Sequence, residues 1–247
     1  MTDIDLSDLA SAHNGSQPLR GYLSTPSGPG PWPGVVMIHE IFGLDDVMRR
    51  HADRLANLGY LTLAVDLFSA GSTPRCLIAT MTAMLRGHGR AFADIAAGRQ
   101  YLADSPNCTG KIGTVGFCMG GGFALLTASD GYDAAAVNYG QLPRNLDTVV
   151  AGACPIVASY GGRDPSLRGA AGQLDAALAA AGIPRDIKEY PNASHAFLND
   201  TEAGPRPLRP LLRVVGIGPE PDSAQDAWQR IELFFATHLQ KSPNHLS

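Results

Sequence analysis

Charge is scarce in this chain of 247 residues: Asp, Glu, Lys and Arg make up 17%, against about 25% in an ordinary globular protein. Much of the chain must therefore be buried. Positive charge is not in excess either, since 19 basic residues face 23 acidic ones for a net −4. A phosphate backbone finds no electrostatic footing here, so nucleic acid is not an expected partner. The four cysteines (Cys76, Cys108, Cys118, Cys154) contain no C-x-x-C pair, which argues against a zinc cage and a redox dithiol. Seven histidines are dispersed without metal-ligand spacing; no metal and no cofactor are expected. No G-K-[ST] follows Gly120-Gly121-Gly122, and no G-x-G-x-x-G opens a nucleotide-binding unit. The opening Met-Thr-Asp-Ile-Asp has acids where an export signal has bases, so the expectation is a cytoplasmic protein. The uncharged run between Lys111 and Asp130 could suggest a membrane span, but it holds five glycines and Thr114, Cys118, Thr127 and Ser129. A strand, a tight turn and a buried helix account for it better, and no membrane partner is expected.

What the chain does have is apolar residues, at 45%, together with 28 glycines and 18 prolines. At this length one α/β core is expected, a single domain over residues 1–247. Val35-Val36-Met37-Ile38 reads as a strand covered on both faces. Val47, His51, Leu55 and Leu58 then recur at helical spacing, with Gly59 as the stop. Residues 61–65 form the next expected strand, ending at Asp66. Met81, Leu85, His88, Phe92, Ile95 and Leu102 stripe a long helical stretch, which Gly87 and Gly89 divide into two helices. Further strands are expected at 111–117, 134–139, 156–160 and 185–190. Helices are expected at 120–128, from Leu167 through Leu178 to Gly182, and from Ala224 to Leu239. This alternation requires a mostly parallel sheet with helices on both faces. Its ligands bind beyond the carboxyl ends of the strands. Residues 27–34 read as a surface loop. Residues 202–221, with Arg206, Arg209 and Arg213, form a long irregular segment of the kind that is usually functional.

Three strand ends carry the candidate chemistry. Gly116-Phe117-Cys118-Met119-Gly120 fits G-x-S-x-G with cysteine as nucleophile, and the small residues two positions either side suit a sharp strand-to-helix turn. The helix start behind Cys118 favours a thiolate and later an oxyanion. The same five residues, taken alone, also suit a buried structural cysteine. Asp164 follows an apolar strand and His195 follows the last strand; alone, each is an ordinary turn or surface residue. Nucleophile, acid and histidine in that order match the α/β-hydrolase arrangement. His39-Glu40-Ile41-Phe42-Gly43 follows the first buried strand and fails H-E-x-x-H, because Gly43 stands where the second histidine belongs. In a hydrolase this loop supplies an oxyanion donor, here the backbone N–H of Ile41 alongside that of Met119. Glu40 reads either as a solvated loop acid or as a carboxylate held against the thiol.

These segments resemble the dienelactone hydrolase (carboxymethylenebutenolidase) family. The likeness runs through HEIFGL from His39, Asp66-Leu67-Phe68, GFCMGG from Gly116, Tyr139-Gly140, GGRDP from Gly161 and SHAF from Ser194, over residues 18–240. It implies an α/β-hydrolase fold and a Cys118–Asp164–His195 triad. It further implies that Glu40 holds the thiol at rest and accepts its proton when substrate displaces it. Phe42, Phe68, Tyr139 and Asn199 then become candidate substrate contacts. Family members that act on dienelactone are expected to grip its carboxylate with two arginines. Here Asp66-Leu67-Phe68-Ser69-Ala70-Gly71 has no arginine before Arg75, and Asn199 stands four residues beyond His195. Arg75 and Arg206 are the candidate substitutes, along with Arg209 and Arg213.

The leading expectation is a cofactor-independent hydrolase of a small ester, lactone or thioester, working through an acyl-enzyme as monomer or homodimer, with a substrate other than dienelactone. A non-catalytic binding domain that retains the fold is the alternative. A thiol redox sensor built on Cys118 ranks third, since no resolving cysteine lies nearby in sequence.

Overall fold

The computed structural model describes residues 1–202, 204, 209, 210 and 217–240. The strands are β1 (Thr2–Asp5), β2 (Arg20–Ser24), β3 (Trp32–Ile38), β4 (Leu61–Asp66), β5 (Cys108–Phe117), β6 (Ala134–Asn138), β7 (Ile156–Gly161) and β8 (Arg185–Tyr190). They form one sheet in the order β1-β2-β4-β3-β5-β6-β7-β8. From β4 to β8 every neighbouring pair is parallel, while β2 pairs antiparallel with both β1 and β4 at one edge. The central strands are buried, β6 and β7 along their whole length, as a sheet covered on both faces requires. The edges are the charged sequences Thr-Asp-Ile-Asp and Arg-Asp-Ile-Lys-Glu-Tyr, which discourage pairing with another chain.

The helices are α1 (Ser7–Ala12), α2 (Asp46–Asn57), α3 (Thr73–Arg86), α4 (Arg90–Asp104), α5 (Met119–Leu126), α6 (Leu146–Val150), α7 (Ala170–Ala180) and α8 (Pro221–Leu239). On one face α2 meets α8 where His51 packs on Trp228, with ring centroids 5.0 Å apart. On the other face α4 meets α5 where Phe92 meets Phe123 edge-on. The expected division of the long helical stretch is present: Gly87 (φ 71°) ends α3 and Gly89 (φ 133°) precedes α4. No helix among the described residues is long and apolar enough to cross a membrane; the uncharged run near residue 118 is the end of β5 and α5. Leu167 belongs to a short 3-10 turn before α7, not to the helix itself.

The N-terminal β1, α1 and β2 were not foreseen. Their core contribution is small, from Leu6, Ala10, Leu19 and Tyr22, spaced too widely to show a period. Sheet order reverses direction at β3, which has β4 on one side and β5 on the other. The crevice above that reversal is where an open α/β sheet binds ligand, and the loops after β3 and β5 both open into it.

Candidate active site

Cys118 sits between β5 and α5 with φ 56° and ψ −116°. A side chain rarely adopts this region, and holding one there costs on the order of 1–3 kcal/mol. The surroundings enforce it. A Cβ on Gly116 would lie 1.9 Å from the Gly120 carbonyl oxygen, and one on Gly120 would lie 2.1 Å from the Ile38 carbonyl oxygen. Only glycine lets the turn close, so both small residues of the motif are explained by backbone contact. The Cys118 N–H donates to the Asn138 carbonyl at 3.1 Å, tying the elbow to β6. Met119 opens α5, and a first-turn N–H has no acceptor within its own helix. Tyr139 (φ 40°) and Ala196 (φ 61°) are also in the left-handed region. Three of the four non-glycine residues in that region among the described residues thus border the cavities described below.

Asp164 and His195 come together because the loops after β7 and β8 are stitched to each other. Gly162 N–H donates to the Tyr190 carbonyl at 2.8 Å and Arg163 N–H to the Ala193 carbonyl at 2.9 Å. His195 Nδ1 then lies 2.6 Å from Asp164 Oδ2. Asp164 Oδ1 accepts from the Ser166 N–H at 2.9 Å and from its hydroxyl at 2.6 Å. Burial opposes charge on Asp164, yet the bonds from His195 and Ser166 outweigh it and hold the carboxyl below its ordinary range. Burial likewise opposes charge on His195, but Asp164 and the Cys118 sulfur prevail and push its pKa up to about 10.

Glu40 is almost fully buried, at 3% exposure, so it is not a solvated loop acid. Its Oε1 accepts from the Tyr139 hydroxyl at 3.2 Å, and Asn199 Nδ2 lies 3.3 Å from each carboxyl oxygen. Burial raises its proton affinity, against the opposing pull of His195 and these donors. The loop bearing it is pinned by His39. The Leu67 N–H donates to His39 Nε2 at 3.1 Å, which leaves the ring proton on Nδ1 to donate to the Glu40 carbonyl at 2.6 Å. Burial keeps this ring neutral by lowering its pKa.

Two cavities share Ile41, Cys118, Ser166 and His195. The larger, about 320 Å³, adds Glu40, Phe42, Asp164, Pro165, Ser194, Ala196 and Ile217. The smaller, about 120 Å³, adds Met81, Met84, Met119, Tyr139, Gln141 and Leu167. Among the described residues, neither lining includes a lysine or arginine.

The sequence-derived candidates therefore divide. Cys118, Asp164, His195, Glu40, Ile41, Met119, Phe42 and Tyr139 all border the two cavities. Phe68 is instead packed edge-on against His39 at 4.8 Å, beneath the Glu40 loop. Asn199 is 2% exposed and directed at Glu40, so it supports a carboxylate of the protein and not one of a ligand. Arg75 lines a separate hollow with Arg90, Cys76 and Asp94. Arg206 and Arg213 lie outside the described residues. Arg209 donates to the Gly204 carbonyl at 3.0 Å. The site also holds residues not singled out for function from sequence. Ser166 fixes Asp164, His51 contacts Asn199 with Nε2 3.1 Å from Oδ1, and Met81 and Met84 line the smaller cavity. A histidine on the apolar stripe of α2 was the one available signal.

A mostly parallel eight-stranded sheet, with a glycine-bounded cysteine turn at its direction reversal and an aspartate–histidine pair across the crevice, defines an α/β-hydrolase. Residues 19–239 match the Dienelactone hydrolase family. The chain belongs to that family and is a hydrolase of carboxylic esters or lactones. A carboxymethylenebutenolidase of Pseudomonas putida is 30% identical over 186 residues, covering 70% of this chain and 78% of that protein. A dienelactone hydrolase-like promiscuous phosphotriesterase from metagenomic libraries superposes with a TM-score of 0.80 at 22% identity, covering 96% of this chain and 97% of the other. A dienelactone hydrolase from Anabaena variabilis gives 0.68 at 21% identity, again covering 96% and 97%. At such identities the two structural likenesses speak for the fold alone.

Proposed function

We propose that this protein is a cytoplasmic, cofactor-independent hydrolase of small neutral esters or lactones, acting through Cys118, Asp164 and His195 and a thioester intermediate. The reading rests first on the 2.6 Å His195–Asp164 contact beside a cysteine held on a strained, glycine-bounded turn. The proposed cycle starts with Cys118 as the thiol, Glu40 ionised, and His195, paired with Asp164, as the imidazolium. The thiol proton passes to Glu40, breaking S–H and forming O–H, and the sulfur attacks the carbonyl carbon. The N–H groups of Ile41 and Met119 stabilise the oxyanion. Collapse breaks the ester C–O bond, and His195 protonates the departing alkoxide. His195 then takes a proton from water as the hydroxide adds to the thioester. Collapse then breaks the C–S bond, the acid leaves, and Glu40 returns its proton to the sulfur.

The neutral substrate follows from a lining that carries the Glu40 and Asp164 carboxyl groups and, among the described residues, no lysine or arginine, the one cationic side chain, His195, being already paired with Asp164. A carboxylate desolvated without a cationic partner loses about 2–5 kcal/mol. The test pairs short neutral esters with the same esters bearing a free carboxylate, and includes dienelactone. A kcat/KM at least about tenfold higher for the neutral members is expected, with turnover lost in Cys118→Ala and His195→Ala. Activity surviving both substitutions removes the triad, and a preference for dienelactone removes the substrate class.

A further inference from the structure

Glu40 is a buried acid whose oxygens, among the described residues, accept hydrogen bonds from uncharged donors, the Tyr139 hydroxyl and the Asn199 amide. A carboxylate accepts hydrogen bonds only, so the Asn199 NH2 must face it and the amide oxygen must face away. That oxygen meets His51 Nε2 at 3.1 Å, and the ring nitrogen must therefore carry its proton there. His51 is held in place by stacking on Phe117, with centroids 4.8 Å apart, and by contact with Trp228. These hydrogen bonds thus run from a helix of one sheet face, through the loop after β8, to the acid beside the nucleophile.

We propose that His51 and Asn199 are positioning residues for catalysis: together they form an uncharged relay that turns the NH2 of the Asn199 amide onto the two carboxyl oxygens of Glu40, and so set the pH at which Glu40 can take the Cys118 proton. This rests on the reading of Cys118 and Glu40 given above. A charged group at either relay position would fix Glu40 as a permanent carboxylate or drive it permanently neutral. An amide does neither, so the acid can cycle.

The relay stays uncharged because His51 is buried between aromatic rings, which lowers its pKa to about 4. The charges facing it are Asp200, which favours its protonation, and Arg50 and Arg54, which oppose it. The titratable groups facing Glu40 are His195, which favours its ionised form, and Asp45, which opposes it, besides the Tyr139 hydroxyl. Tyr139 stays protonated, its pKa raised well above the ordinary value by burial first and then by Glu40 and Cys118. Asn199 is therefore the adjustable partner, and its orientation depends on His51.

The test uses iodoacetamide alkylation of Cys118, read by peptide mass so that the other three cysteines do not interfere, as a function of pH. His51→Phe keeps the stack but removes the donor. The freed amide can then turn its oxygen toward Glu40, and the acid limb of the alkylation profile is expected to move up by about one unit, a tenfold slower reaction at any pH on that limb. His51→Gln restores an N–H and should return the limb to the wild-type position. Asn199→Ala reaches the same relay from its other end and should move the limb in the same direction, which covers a failure of His51→Phe to fold. Glu40→Gln must abolish or displace the limb. If it does not, the limb is not that of Glu40 and the underlying reading fails. If Glu40→Gln moves the limb while neither His51→Phe nor Asn199→Ala does, the relay alone is overturned.

Discussion

Replacing Asp164 by Asn tests the site more sharply than removing it, because the hydrogen bonds dictate how the new amide must sit. Asp164 Oδ1 serves the Ser166 backbone N–H at 2.9 Å, and that donor needs an oxygen opposite it. The asparagine must therefore place its carbonyl toward Ser166 and its NH2 toward His195. A donor at Oδ2, 2.6 Å from His195 Nδ1, forces that nitrogen to be the acceptor. The ring proton then sits on Nε2, facing the reaction centre. In that tautomer His195 has lost both its charge and its capacity to take a proton from water. The same substitution in a serine triad costs roughly 10⁴ in kcat, and about 10³–10⁴-fold in kcat/KM is expected here, or about 4–5 kcal/mol of transition-state stabilisation. The substitution is close to isosteric, so circular dichroism and Tm should change little. The assay is kcat/KM for a neutral ester across pH, paired with titration of His195 by NMR, whose pKa should drop far below its wild-type value of about 10. Asp164→Asn within tenfold of wild type would refute the argument, since His195 would then be acting without its orienting acid.

Gly120→Ala should unfold the elbow before it touches chemistry. The added Cβ meets a backbone oxygen at 2.1 Å, so a loss of about 3 kcal/mol or more is expected, a fall of about 10 °C in Tm for a chain this size; an unchanged Tm in calorimetry would contradict the clash. His51 should make the fold acid-sensitive. Its pKa is about 4 when folded against an ordinary 6.5, so stability is complete above 6.5 and declines as pH falls toward 4, by about 3 kcal/mol in all. Urea midpoints at pH 7 and pH 4.5 should therefore converge in His51→Gln relative to wild type.

The central strands were legible because burial on both faces writes continuous apolar runs such as Val35-Val36-Met37-Ile38, and because Gly87 and Gly89 mark a break that helical periodicity alone would miss. The edge was not. Thr2–Asp5 at the edge and Arg20–Ser24 beside it have few apolar residues, and their partners are distant in sequence. At the site, the convergence of Cys118, Asp164 and His195 was legible because each lies in the turn or loop that follows a strand, and strand ends converge whatever the intervening loops. Asn199 and Phe68 were expected to touch substrate because they neighbour motif residues. Side-chain direction decides otherwise: one turns inward to Glu40 and the other under the loop against His39. Ser166 gave no cue, since its role depends on a short turn placing its N–H and hydroxyl on one carboxylate oxygen.

His39 joins two loops that a ligand would otherwise have to organise for itself. Its imidazole receives from Leu67 after β4 and donates to Glu40 after β3, so the backbone leading to Ile41 cannot drift without breaking a bond to a different strand. The ordering entropy of that segment is lost once, when the chain folds, and is not lost again in each catalytic cycle. Protection of the Leu67 amide against hydrogen exchange therefore serves as a gauge of the neighbouring loop after β3. A substitution at His39 would leave every group that meets the substrate chemically intact, yet it would turn a preorganised site into one that each substrate molecule has to assemble.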